Sequence, residues 1–434
     1  MPPILTRLDL RGATEDLRDL LPHPEVSAET PAEVVREILA RVRADGDGAL
    51  RELTERFDGV RIDELAVPPA EVQAAVEAIP PDLRRAMEVA RDNIEAFHVA
   101  ELAPEVVHDR DGVNVREIRR AVQRAGLYVP GGRAPLASTV LMTAVPARVA
   151  GVEELVAASP PGPDGRVATV VLAAAAIAGV DEVYRVGGAQ AIGALAYGTE
   201  TIRPVDVIVG PGNRYVAAAE RMVAQQGAVG VPSAFTGPSE VVVVADDTTE
   251  VEWAAIDLVV QAEHGPDGIA WLITWSEAAA DAITEAVARI TESSPRRAEI
   301  TSTLERGGYA VIVDGPQQAM AVCNVVAPEH LELLCAEAEA LVPLVRSAGA
   351  VFVGPWAPAS VGDYVAGPSH VLPTARSARF GSALGTADFQ KRIHVVSLDR
   401  PALDRLAPHV VAMAGAEGLV AHAESVAWRA AAPR

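Results

Sequence analysis

The spacing of hydrophobic positions changes near residue 120 and splits the chain into two textures. From Ser27 to His98 apolar residues recur at helical intervals among Ala, Arg and Glu, which predicts a run of helices. Pro68-Pro69 and Pro80-Pro81 punctuate that run where helices would start. Ser27-Ala-Glu-Thr30 and Thr30-Pro-Ala-Glu33 both read as helix openings, the second as a capping box. Past Arg120, short apolar runs alternate with longer runs of helical period. Leu127-Tyr128-Val129-Pro130-Gly131-Gly132 reads as a strand entering a glycine turn. Strands follow at 155–159, 182–186 and 205–209, with helices at 168–178, 189–196 and 214–225. A second alternating set has strands at 240–245, 269–274 and 309–313 and helices at 249–262 and 277–292. Such alternation is the mark of parallel α/β layers. Residues 381–434 differ, with a short strand at 393–397 and then helical sequence.

Composition narrows the classes. The 434 residues are half hydrophobic and carry a net charge of −22, which opposes a nucleic-acid or anionic-membrane surface. The most apolar stretch, 166–180, is short and Ala-rich, as in a core strand–helix unit rather than a membrane span. Met1-Pro2-Pro3 leads into mixed-charge sequence rather than a signal peptide, so the cytoplasm is the expected compartment. Two cysteines, Cys323 and Cys335, lie in apolar sequence outside any CxxC and read as buried small hydrophobes.

Gln261-Ala-Glu-His264-Gly-Pro-Asp-Gly268 closes an apolar helical run, with Gly265 as the C-cap and Pro266 as the stop. Gln261 and His264 stand three apart and share a helix face. The pair reads either as half of a metal site or as an exposed helix end with a capping histidine. Val205-Asp-Val-Ile-Val-Gly210-Pro-Gly212-Asn213 is strand, tight turn and helix, a shape that presents free N–H groups to an anion. It is only half of a dinucleotide fingerprint, because Tyr215 stands where a third glycine belongs. Gly187-Gly188-Ala189-Gln190 and Tyr128-Val-Pro-Gly-Gly make two similar turns, and three such turns on one sheet would share the edge where α/β proteins bind ligands. In Ala327-Pro328-Glu329-His330, Pro328 suits a first helical position, which would place Glu329 and His330 in a helix's first turn. There the helix would favour the carboxylate and a neutral, basic imidazole. The same residues also suit a plain exposed turn. A glycine- and proline-rich loop, 361–374, carries Asp363 and His370. Glu417 and His422 sit five apart on one expected helix, whose default reading is a solvated face. His23, His98, His108, His394 and His409 have no companions and read as structural.

Ten strings in register from about residue 125 onward resemble the histidinol dehydrogenase family. They are Tyr128-Val-Pro-Gly-Gly, Val140-Leu-Met-Thr-Ala-Val-Pro-Ala, Gly188-Ala-Gln190-Ala-Ile, Gly210-Pro-Gly-Asn213, Gly237-Pro-Ser239-Glu, Gln261-Ala-Glu-His264-Gly-Pro-Asp, Ala327-Pro-Glu-His330-Leu, Gly362-Asp363-Tyr, His370-Val-Leu-Pro-Thr and Ala387-Asp-Phe-Gln-Lys-Arg392. The N-terminal quarter matches only in character. Ser369, where an Asn is common, and the positions Arg133 and Ala234-Phe235-Thr236 depart from the family in loop detail.

The resemblance implies oxidation of L-histidinol through L-histidinaldehyde to L-histidine with two NAD⁺ reduced, the last steps of histidine biosynthesis. It implies one zinc per subunit on Gln261, His264, Asp363 and His422, and NAD contacts from Tyr128, Gln190 and Asn213. It further implies substrate contacts from Ser239, His330, His370 and Glu417 beside the metal ligands. The chemistry would fall to His330, taking the alcohol proton, and Glu329, activating the water that attacks the aldehyde. The family forms homodimers with an exchanged tail, so Glu417 and His422 are expected in the partner's active site.

The expected fold is α/β, with two incomplete Rossmann-like domains, a helical N-terminal segment and a small C-terminal tail domain. The expected boundaries are 1–26 for the leading segment, 27–127 with 241–380 for the metal-binding and catalytic domain, 128–240 for the NAD domain and 381–434 for the tail. Two alternatives share this pattern: a dehydrogenase of a related amino alcohol and a zinc hydrolase, the latter leaving the glycine turns idle.

Overall fold

The computed structural model describes residues 4–22, 31–131, 135–232, 239–263 and 268–433. In chain order its strands are β1 (Thr6–Asp9), β2 (Val106–Arg110), β3 (Val113–Ala121), β4 (Arg124–Tyr128), β5 (Glu154–Ser159), β6 (Glu182–Arg185) and β7 (Val207–Val209), then β8 (Glu240–Ala245), β9 (Ile269–Thr274), β10 (Gly308–Ile312), β11 (His330–Leu333), β12 (Ala350–Val353) and β13 (Gln390–Leu398). The fold is α/β, as the alternating pattern predicts. Two parallel sheets carry it, one ordered β6-β5-β4-β7 and the other β1-β10-β9-β8-β11-β12.

Apolar strands sandwiched between helices explain both sheets. β4, β5, β8 and β9 are almost wholly buried, which fits near-continuous apolar runs covered on two faces. The leading segment is not separate, since β1 pairs in parallel with β10 at the edge of the six-stranded sheet. The helices of 32–78 pack differently from the expected grouping with that sheet. Val35, Leu39 and Val42 of the Ala32–Asp58 helix join the core of the four-stranded sheet instead. Gly193 permits the approach, because a Cβ there would stand 3.1 Å from Leu39 Cδ2. Pro69 and Pro81 open helices, as their positions suggest. The openings at Ser27 and Thr30 lie outside the described residues, as do Gly132, His23, Arg133, Ala234-Phe235-Thr236 and Gly237-Pro238.

A second compact unit contains residues 102–122 and 390–434. Its sheet is antiparallel, β13-β3-β2, with Gln390 opposite Ala121 and Leu398 opposite Val113. The tail therefore recruits a strand from far upstream. Glu417 and His422 do not share a helix. The Arg400–Ala416 helix stops at Glu417, Gly418 adopts φ 71°, and His422 falls in the next helix, Val420–Ala431. Gly418 breaks the helix because the chain turns there through the left-handed conformation that glycine favours. Cys323 and Cys335 are both buried thiols. Among the described residues no helix is long and apolar enough to cross a membrane.

Candidate active site

The Val251–Ala262 helix follows β8 and runs back along it, so its last turn returns to the amino end of that strand. That path brings Gln261 beside Glu240 and the start of β11. Here the expected helical placement of Glu329 and His330 is corrected. The Pro316–Val326 helix ends at Ala327 in the left-handed region (φ 49°), and His330 is the first residue of β11. Strand wins because His330-Leu-Glu-Leu333 slots between β8 and β12, with His330 opposite Val241 and Ala350. A helix dipole thus has no part in tuning these two residues. Gly349 belongs to the same corner, as a Cβ there would stand 2.6 Å from the Glu329 carbonyl oxygen.

The main chain of Glu240 holds both candidate catalytic groups. Its N–H donates to Glu329 Oε2 at 3.0 Å, and its carbonyl accepts from His330 Nδ1 at 3.1 Å. On the other side His330 Nε2 stands 3.1 Å from Asp363 Oδ1. Gln261 Nε2 is 3.3 Å from Nδ1, while Gln261 Oε1 is buried without a hydrogen-bond partner. Asp363 sits on a short helix, Ala359–Tyr364, rather than in a loop. His370 stays in the following loop. Its Nδ1 donates to the Asp363 carbonyl at 2.9 Å and its Nε2 lies 3.3 Å from Thr139 Oγ1. Ser369 steadies that loop by donating to the Met142 carbonyl, which gives the departure from Asn a structural job.

Burial sets the charges. It pushes Glu329 up to about 7, with nearby His330 acting in the opposite sense. For His330 burial works against the charged form, but the Glu329 and Asp363 carboxylates outweigh it and raise the imidazole to about 9. The two carboxylates thus favour the charged imidazole, the opposite of the effect that a helix N-terminus would have. Glu240 is pushed up to about 8 by burial and by Glu329.

The glycine turns also gather. Tyr128, Gly187-Gly188 and Gly210 all follow the carboxyl ends of β4, β6 and β7 in one sheet. The Tyr128 hydroxyl accepts from Gly188 N–H at 3.1 Å, and Gln190 is buried one turn on. Asn213 caps the Arg214–Gln225 helix, its Oδ1 accepting from Tyr215 and Val216 N–H at 2.9 and 3.2 Å. Gly210 (φ 124°) is obligatory, since a Cβ would collide with the Tyr128 carbonyl.

Not every expected residue joins the cluster. Ser239 leads into β8, its carbonyl accepting from Ile269 N–H at 3.0 Å. His264, with Gly265 and Pro266, lies outside the described residues. Glu417 and His422 belong to the second compact unit, where both are exposed. Among the described residues no three His, Cys, Asp or Glu side chains form a metal-holding group. The donors that do meet are nonetheless suited to zinc. Gln261 Oε1 is a buried oxygen awaiting a partner, and Asp363 is a carboxylate one imidazole away. The sequence passed over Glu240, Glu332 and Asp257. Glu332 had a signal, because period two along β11 puts it on the same face as His330.

The histidinol dehydrogenase family model matches residues 21–430. The chain belongs to the histidinol dehydrogenase family. It is 46% identical to the histidinol dehydrogenase of Parasynechococcus marenigrum over 98% of this chain and 94% of that one. It is 49% identical to that of Rhodospirillum rubrum over 94% of each. The crystal structure of histidinol dehydrogenase from Elizabethkingia anophelis superposes with a TM-score of 0.94 at 33% identity, covering 99% of this chain and 98% of that one. Membership makes the chain an oxidoreductase of a histidine-biosynthetic family.

Proposed function

We propose that the protein oxidises L-histidinol through L-histidinaldehyde to L-histidine, using two NAD⁺. The observation that carries the reading is the cluster of buried Glu329, His330 and Gln261 with half-buried Asp363, in which the Glu240 main chain holds Glu329 and His330. Gln261, His264, Asp363 and His422 would hold one zinc per subunit, and Tyr128, Gln190 and Asn213 would hold NAD at the edge where the glycine turns meet. When bound, zinc supplies a Lewis-acidic anchor for the substrate's imidazole and amine, and NAD⁺ the hydride acceptor.

The chain's own residues then do the proton work. The Glu240 carbonyl fixes the Nδ1 proton of His330 and leaves Nε2 to face the reacting alcohol. His330 Nε2 would take the alcohol proton in the first oxidation, and Asp363 would be among the residues that hold zinc. Glu329, poised near neutrality by burial, takes the proton of the water that attacks the aldehyde. Ser239, His370 and Glu417 orient the substrate.

His422 and Glu417 enter this scheme from a second copy of the chain, which makes the active form a homodimer with shared sites. Exposed apolar side chains support a covered face, since Trp356 is 82% exposed and Tyr364 60% exposed beside the Asp363 helix. Trp253 packs on Trp356 with ring centroids 5.4 Å apart. This reading places the enzyme in the cytoplasm, with both thiols unpaired. The test is NADH formation from L-histidinol, its loss on chelation and its return with zinc. A protein that forms no NADH from L-histidinol when zinc-loaded would refute the proposal.

A further inference from the structure

Glu240 holds Glu329 and His330 through its main chain, but its side chain has a separate attachment. Oε1 accepts from the N–H of Ala375 at 3.1 Å, while Oε2 is buried without a hydrogen-bond partner. Burying a carboxyl group is costly, so its one main-chain partner calls for an explanation. Ala375 (φ 52°) and Arg376 (φ 63°) are consecutive non-glycine residues in the left-handed region. That conformation strains an L-residue, because its Cβ crowds the following carbonyl oxygen, and it persists only where the surroundings hold it. Ser377 closes the turn on one side, its N–H and hydroxyl both donating to the Thr374 carbonyl at 3.0 and 2.6 Å. The Glu240 carboxyl fastens the middle, and Glu240 and Arg376 line one cavity. The turn ends the segment that begins at His370. Residues 371–374 between them are buried, and Leu372 and Pro373 lie so close to Gly349 that a Cβ there would stand 3.2 and 3.3 Å from them. A close-packed run of this kind transmits displacement rather than absorbing it.

We propose that Glu240 is a positioning residue whose side chain holds the left-handed turn at Ala375-Arg376 and so sets where His370 meets the substrate. The proposal rests on the reading of His370 as a substrate contact given above. One residue then serves two parts of the site, its main chain the candidate proton-transfer groups and its carboxyl the substrate-orienting loop. The two duties are separable, because a substitution at 240 removes the carboxyl and keeps the main-chain bonds to Glu329 and His330. Without the carboxyl the turn relaxes toward ordinary backbone conformations, and only the molecules that keep it present His370 correctly. Apparent substrate affinity falls in proportion to that fraction. Relief of strain at one left-handed residue corresponds to roughly a 5- to 30-fold change in the population.

The experiment uses the full-length, zinc-loaded protein with L-histidinol and NAD⁺. Glu240→Ala raises the KM for L-histidinol by roughly 5- to 30-fold and changes kcat far less. Glu240→Gln keeps an oxygen for the Ala375 N–H and restores the KM. Adding Ala375→Gly to Glu240→Ala recovers part of the loss, because glycine adopts a positive φ without strain. A side chain that merely filled space at 240 would not be rescued from 375. Amide hydrogen exchange gives a readout that needs no turnover: the Ala375 N–H exchanges slowly in wild type and in Glu240→Gln, and fast in Glu240→Ala. Fast exchange of that amide in the wild type overturns the proposal without any variant. A wild-type KM in Glu240→Ala, or a KM in Glu240→Gln as high as in Glu240→Ala, overturns it as well. A wild-type protein that forms no NADH from L-histidinol overturns the functional reading instead, and the Ala375 exchange still decides whether the carboxyl holds the turn.

Discussion

Glu329 and His330 are adjacent in sequence, yet their side chains meet different partners. Glu329 Oε2 takes its hydrogen bond from the main chain and lies 3.6 Å from His330 Nδ1, while His330 Nε2 faces Asp363. Replacing Glu329 by Gln keeps the shape but removes the proposed base for water. That variant is expected to lose about 10²- to 10⁴-fold in histidinaldehyde oxidation and far less in histidinol oxidation. Measuring the two half-reactions separately checks it, and equal losses would contradict the division of labour. If Glu329 acts as the proposed base, burial raising it to about 7 means the aldehyde step should quicken as pH rises through that value. A flat profile across neutral pH would contradict the assignment.

A buried acid outside the site gives a stability test. Glu220 is fully buried, both its oxygens lack hydrogen-bond partners, and burial holds its carboxyl well above the usual range. The folded state thus keeps a proton that the unfolded chain releases, and stability falls as pH rises above the ordinary carboxylate range. Glu220→Gln should raise the melting temperature at neutral pH, with the gain vanishing in acid. A melting curve equal to wild type at neutral pH would contradict this.

At the scale of elements, β4 to β10 were legible because each short apolar run alternates with a helical period, whereas β1, β11 and β12 of the six-stranded sheet were not read as strands. β8 at 240–245 and β9 at 269–274 fall where the pattern places them. His330 was misplaced for a physical reason. Pro328 and Glu329 form a good local helix start, but burial of Leu331 and Leu333 between two strands outweighs a local propensity. The return of the Val251–Ala262 helix also puts the candidate cluster at the amino ends of β8 and β11. The glycine turns obey the usual carboxyl-end rule of the other sheet. Gly210→Ala tests that second edge. Strain at a positive φ costs roughly 1–3 kcal/mol, and the displaced Tyr128 carbonyl should weaken NAD binding in a calorimetric titration. Unchanged NAD affinity would contradict the placement of the cofactor.

At the scale of the whole molecule, family membership was readable from ten short strings, whereas the pairing of β3 with β13 was not, because no local pattern links 113–121 to 390–398. In the proposed scheme the second unit supplies Glu417 and His422. Glu417 and His422 are exposed on it, so a truncation before Gly415 should lose both zinc and activity. A truncated protein with full zinc content and turnover would remove both residues from the scheme.

The central claim is a double oxidation at one site. Its most direct measurement is the amount of NADH formed per L-histidinol consumed, with L-histidine identified as the product. Two NADH for each histidinol, with no free aldehyde accumulating, is the expected result. One NADH per histidinol with histidinaldehyde released, or none at all, would contradict the account.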